Sequence, residues 1–142
     1  MSVLIDTSVW SLALRRKAVQ LSVAEHRVVE EWRALISDGR ARLAGIIRQE
    51  VLSGVRESRD FERLRAHLAP FDDAPADTAA HELAAKYFNT CRARGITPTA
   101  FDVLICALAA RHGFAVFTTD ADFSRYARIL PVRLHSVGVT TR

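Results

Sequence analysis

The chain has 142 residues, 49% hydrophobic and 25% charged, which suits one globular domain with its own core and excludes a disordered or fibrous class. Its net charge is +4, and all of its 20 basic residues except Lys17 and Lys86 are Arg, a balance compatible with a nucleic-acid partner but too mild to demand one. The longest apolar stretch, Val103 to Ala110, is far too short to span a bilayer, and the three-residue apolar run before Asp6 is no signal peptide, so a cytoplasmic protein is expected.

The first element is a buried strand, Val3-Leu4-Ile5, which stops on Asp6. A short helix follows over Thr7 to Leu14, then a basic loop. Ser22 and Glu25 have capping-box spacing and open a helix to about Ser37, with Val28, Val29, Trp32, Leu35 and Ile36 on one face. "ARLAGI" offers a second strand. Helices are expected around Ile46 to Val55 and Phe61 to Leu68, with "PFDDAP" as a loop. Asp77 can cap a long helix to about Arg94, ended by Gly95. Thr99 starts another, to His112, ended by Gly113. "FAVFTT" is a strand, "DADFSRYARI" a short helix, "LPVRLHSV" a last strand, and residues 138–142 a loose tail. Cys91 and Cys106 fall in helical patterns without any CxxC or Cys/His cluster, and read as reduced thiols of the core.

Short strands, apolar on both faces and alternating with helices, predict an α/β sandwich around a mainly parallel sheet. In such folds ligands bind beyond the carboxyl ends of the strands. Asp6 and Asp120 each stand at such an end. Asp102 is the lone carboxylate of "TAFDVLICALAARH", a helix apolar almost all round and therefore buried. Projected at about 100° per residue, Glu50 falls between Ile46 and Ile47, where a charge is rare unless it is paired or bound to a metal. Each acid has a plainer explanation: an N-cap for Asp6, Asp102 and Asp120, and a core-edge ion pair for Glu50. Brought together, however, four carboxylates repel and need a cation. Oxygen ligands without His or Cys suit Mg²⁺ or Mn²⁺, and such ions over a phosphodiester can activate water and stabilise the leaving oxygen.

The segments "VLIDTSVW", "QEVLSG", "FDVLICALAARHG" and "VFTTDADF" together resemble a PIN-domain ribonuclease, specifically a VapC-type toxin of a type II toxin–antitoxin pair. Their order and spacing match that family across nearly the whole chain. The resemblance implies a three-layer sandwich with a parallel sheet flanked by helices, one PIN-like nuclease domain over 1–137. It implies a Mg²⁺- or Mn²⁺-dependent endoribonuclease acting on structured RNA and leaving a 5′-phosphate and a 3′-hydroxyl. Asp6, Asp102 and Asp120 match the family's main metal ligands, and Glu50 matches the acid that holds a metal or its water. "TTDADF" also offers Asp122, as an outer ligand or a first-turn helix residue; Asp120 lies nearer the strand end and is the first choice. Thr7, Ser8, Thr118 and Thr119 are candidates to hydrogen-bond the carboxylates or the scissile phosphate, or are simple turn hydroxyls. The implied partners are RNA, a second copy of the chain in a homodimer, and a small VapB-type antitoxin. That antitoxin would lie in a groove walled by the Ser22–Ser37 and Phe61–Leu68 helices.

Two other readings compete. A phosphatase of the haloacid dehalogenase type also begins with a strand ending in Asp, but needs Asp-x-Asp, and Ser8 stands at the third position. A PIN-like subunit with little nuclease activity, acting mainly with an antitoxin on operator DNA, would fit an incomplete acidic set.

Overall fold

The computed structural model describes residues 1–138, so the tail expected over 138–142 falls, beyond Gly138, outside the described residues. In chain order the elements are β1 (Val3–Ile5), α1 (Thr7–Arg15), a 3₁₀ turn (Ala18–Gln20), α2 (Val23–Ser37), β2 (Ala41–Arg42), α3 (Gly45–Leu52), α4 (Ser58–Leu68), α5 (Thr78–Ala93), α6 (Ala100–His112), β3 (Ala115–Phe117) and α7 (Asp122–Ile129). The three strands form one parallel sheet in the order β2-β1-β3. Val3, Leu4 and Ile5 pair with Ala115, Val116 and Phe117, while Val3 and Leu4 pair with Ala41 and Arg42 on the other side. As the middle strand, β1 has no face in water, and all three of its residues are fully buried. Because β1 and β3 run parallel, their carboxyl ends lie on one edge. The Asp6 N–H extends the ladder to the Phe117 carbonyl at 2.9 Å.

Helix α6 is the most apolar element, with every residue from Val103 to Ala109 buried. The Thr99 hydroxyl caps it by accepting the Asp102 N–H at 3.0 Å. Gly113, at φ 72°, ends it in the left-handed conformation that a side chain would strain. α2 carries the predicted capping box, both Ser22–Glu25 bonds being made. Trp10 belongs to the core. It is fully buried, its Nε1 donates to the Ile5 carbonyl at 2.9 Å, and Trp32 and Phe71 meet it edge-on at 5.7 and 5.2 Å. Cys91 and Cys106 are both buried and free. No helix among the described residues is long and apolar enough to cross a membrane.

Several elements are shorter or shifted relative to the sequence reading, and β2 and β3 are reduced to Ala41–Arg42 and Ala115–Phe117. α3 stops at Leu52 rather than Val55, since Ser53 leaves the helical conformation and Gly54 takes a positive φ of 81°. α4 starts at Ser58, ahead of the apolar Phe61 that marked it in the sequence. "LPVRLHSV" does not form a strand but a single parallel bridge, Leu134 to Val116. The cause is local: Pro131 has no N–H to give, and the chain folds over it with Val132 N–H on the Leu130 carbonyl at 2.8 Å.

Candidate functional site

The topology delivers acids from four distant segments to one edge of the sheet. Asp6 follows β1 directly and is the buried charged residue of the core, 6% exposed. A carboxylate at that depth needs hydrogen bonds. Its Oδ2 accepts from the Ser8 hydroxyl and the Thr118 hydroxyl, each at 2.8 Å, and more weakly from the Ser8 N–H at 3.4 Å, which caps α1. The expected cap is thus present, but it is the weakest of the three bonds. Thr118 and Ser8 tie the second strand end to the first. Thr118 Oγ1 accepts the Asp120 N–H at 3.0 Å, and Ser8 Oγ accepts the Thr119 N–H at 3.0 Å.

Glu50 is half-buried on α3, and its Oε1 accepts the Thr7 hydroxyl at 2.7 Å, one residue from Asp6. It makes no ion pair among the described residues. Arg48, beside it in sequence, turns away to Asp73 at 3.0 Å. Asp102 is half-buried in the first turn of α6, and its Oδ2 accepts the Tyr126 hydroxyl at 2.8 Å. Burial pushes the Asp102 carboxyl above its ordinary range. The Tyr126 bond opposes that shift, and the charges of Asp120 and Asp6 add to it. Burial and then the bond to Asp102 push the Tyr126 phenol up, so at neutral pH it is a protonated donor. Cys106, one turn along α6, is pushed up to about 12 by burial and then by Asp102, which makes it an inert thiol.

Carboxylate oxygens of Asp102, Asp120 and Asp122 lie within 4.8 Å of one another. Asp6 and Glu50 do not join that trio, although the charge of Asp6 is felt at Asp102. Asp120 and Asp122 are exposed. Asp120 Oδ1 accepts the Asp122 N–H at 2.9 Å, a turn bond that leads into α7, and Arg125 reaches Asp122 at 3.7 Å. Asp122 therefore stands with Asp120, not behind it.

Three of the acids share a pattern. Asp6, Glu50 and Asp102 each take hydroxyl donors on one oxygen, and the other oxygen accepts nothing among the described residues. Thr7, Ser8 and Thr118 bond carboxylates as anticipated, whereas Thr119 takes part through its N–H. Tyr126 escaped the sequence reading. The available signal was its spacing of four from Asp122, which puts both on one face of α7. The donor set is oxygen only, and among the described residues Asp102 has no basic partner, which fits a hard divalent cation better than zinc.

Comparison with known proteins gives a consistent result. The PIN domain family model matches residues 3–129. The chain is 34% identical over 131 residues to the VapC ribonuclease Mb1587 of Mycobacterium bovis, covering 89% of this chain and 92% of that one. The same figures hold for Ribonuclease VapC11 of Mycobacterium tuberculosis. Among solved structures, FitAcB from Neisseria gonorrhoeae superposes with a TM-score of 0.73 at 23% identity, over 94% of this chain and 96% of that one. VapBC2 from Rickettsia felis, bound to a DNA fragment from its promoter, gives 0.72 at 14% identity, over 95% and 98%. At these identities the structures speak for the fold.

Proposed function

The chain belongs to the PIN-domain family, and from that premise we propose that it is a VapC-type toxin, a cytoplasmic endoribonuclease that hydrolyses phosphodiester bonds in structured RNA with Mg²⁺ or Mn²⁺. The observation that carries this reading is the convergence of acids from residues 6, 50, 102 and 120–122 at the carboxyl edge of one parallel sheet, three of them with oxygens within 4.8 Å. Asp102 and Asp120, with Asp122 beside them and Asp6 behind, are the residues that would hold the cation. Bound there, a divalent ion supplies Lewis-acid charge at a phosphodiester oxygen and makes water a competent nucleophile near neutral pH.

The remaining chemistry falls to the side chains. Thr7 fixes Glu50 through Oε1, which leaves Oε2 to orient the attacking water and receive its proton. Ser8 and Thr118 hold Asp6 in a buried position, with no basic side chain paired to it among the described residues. The hydroxyl braces reduce the side-chain motion that assembly of the reacting groups would otherwise have to arrest. Attack of the water oxygen on phosphorus breaks the P–O3′ bond, so the phosphate stays on the 5′-oxygen and the leaving 3′-oxygen takes a proton from solvent to become the 3′-hydroxyl.

The name VapC in the relatives supports a small VapB-type antitoxin as partner. The groove suggested for it is consistent with the packing. α2 and α4 approach the end of α1 from two sides, Arg16 with Glu25 at 3.9 Å and Arg63 with the Leu14 carbonyl at 3.3 Å. On the α2 side of α1, a cavity of about 480 Å³ is lined by Ser8, Arg15, Arg16, Glu25 and Thr119, so a segment lying there would end beside the acids. The alternative, a partner subunit with little nuclease activity, is disfavoured by a complete acidic set. The deciding experiment is cleavage of total RNA by purified protein in Mg²⁺ or Mn²⁺, set beside folded Asp6→Asn and Asp102→Asn proteins. Equal cutting by all three would sink the proposal. RNA-end sequencing after induction in cells would then name the target.

A further inference from the structure

We infer that Tyr126 is a positioning residue of the metal site, one that locks α7 to α6 so that Asp102 meets Asp120 and Asp122 at ligand distance; the inference rests on the cation-binding reading above. Asp102 belongs to α6, while the other two acids open α7, a helix from a separate segment. The trio exists only if those two helices keep their relative placement. Phe123 and Tyr126 are the buried residues of α7, and they meet edge-on at 5.2 Å. Phe123 gives α7 apolar anchorage but no direction for a carboxylate. The Tyr126 hydroxyl gives direction, because it donates to one named oxygen, Asp102 Oδ2, at 2.8 Å.

The same bond sorts the two oxygens of Asp102. Oδ2 is engaged, and Oδ1 has no hydrogen bond among the described residues. Tyr126 and Asp122 lie four apart on one helix face, so the bond that fixes Asp102 also fixes the base of the helix that presents Asp122. Hydrogen bonds of this kind to metal-ligating carboxylates are commonly worth 10- to 100-fold in metal affinity. A tyrosine that merely filled space would need its ring and not its oxygen.

Tyr126→Phe separates the two roles. Mn²⁺ binding to the full chain is measured by electron paramagnetic resonance, with thermal unfolding in EDTA alongside. The expected result is Mn²⁺ affinity about tenfold lower than wild type, with little change in cation-free melting temperature. A Phe123→Leu protein should show the reverse, a lower melting temperature with Mn²⁺ affinity within about threefold of wild type. Equal Mn²⁺ affinity of Tyr126→Phe and wild type overturns this inference alone. A wild-type protein that binds no Mn²⁺ overturns it together with the reading beneath it. A second readout needs no variant: the Tyr126 hydroxyl proton should remain visible and slowly exchanging by NMR when Mg²⁺ is added. Its loss on Mg²⁺ addition would also overturn the inference.

Discussion

The two halves of the acidic site are built differently. Asp6 and Asp102 stand on the core side. One follows the middle strand and the other opens the most apolar helix, and each has an oxygen held by a neighbouring hydroxyl. Asp120 and Asp122 stand on the water side. Both are exposed, they share a turn bond, and Arg125 is within 3.7 Å of Asp122. Charge on the core side is costly and must be compensated, while charge on the water side is screened and free to adjust. In the proposed cation site, the core side would fix the position of the ion and the water side would complete its ligand set.

That division can be broken from its strong side first. Asp102→Asn or Asp6→Asn should lower RNA cleavage by about a thousandfold, or ~4 kcal/mol of transition-state stabilisation, in proteins whose circular dichroism is unchanged. On the water side, Asp120→Asn should lose about a hundredfold and Asp122→Asn about tenfold, a gap of ~1.4 kcal/mol. Single-turnover rates of the two proteins measure it. If Asp122→Asn is the more damaged, the two residues exchange roles.

The pH dependence sharpens the same comparison. Burial raises Asp102 in the folded state, with Asp120 and Asp6 adding to it. A raised acid favours the folded state while protonated. Its contribution is therefore complete below the unfolded value, near 3.8, and is lost as pH rises through the raised native value. In EDTA, the melting temperature of wild type relative to Asp102→Asn should fall across that window. Mn²⁺ should restore it above the window, where the carboxylate is charged. The smallest effect is expected at the helix start that carries Asp102. Thr99→Ala removes the cap at the Asp102 N–H and should cost about 1 kcal/mol in urea unfolding, with cleavage reduced only severalfold.

Much of the core side was legible in the sequence, for a physical reason. A carboxylate at the end of "VLI", or alone within "FDVLICALAA", conflicts with its apolar surroundings, and the conflict is visible without a structure. Glu50 was legible in the same way, through its helical projection between two isoleucines. The water side was less so. Asp120 stands out at the end of "AVFTT", but Asp122, two residues on in a polar turn, does not, and only the distances to Asp102 bring the two together. Tyr126 could not be linked to Asp102 from the sequence, because their contact depends on how α7 lies against α6, across 24 residues. The last strand failed for the opposite reason. "LPVRLHSV" has strand-like composition, but Pro131 and a single bridging partner leave no ladder to extend.

The most direct test is cleavage of RNA by the purified wild-type chain in Mn²⁺, in EDTA, and in EDTA followed by excess Mn²⁺, with folded Asp102→Asn protein in parallel. The account predicts cutting with Mn²⁺, none in EDTA, recovery on adding Mn²⁺ back, and no cutting by Asp102→Asn above about a thousandth of the wild-type rate. Undiminished cutting in EDTA, or by Asp102→Asn in Mn²⁺, would contradict it.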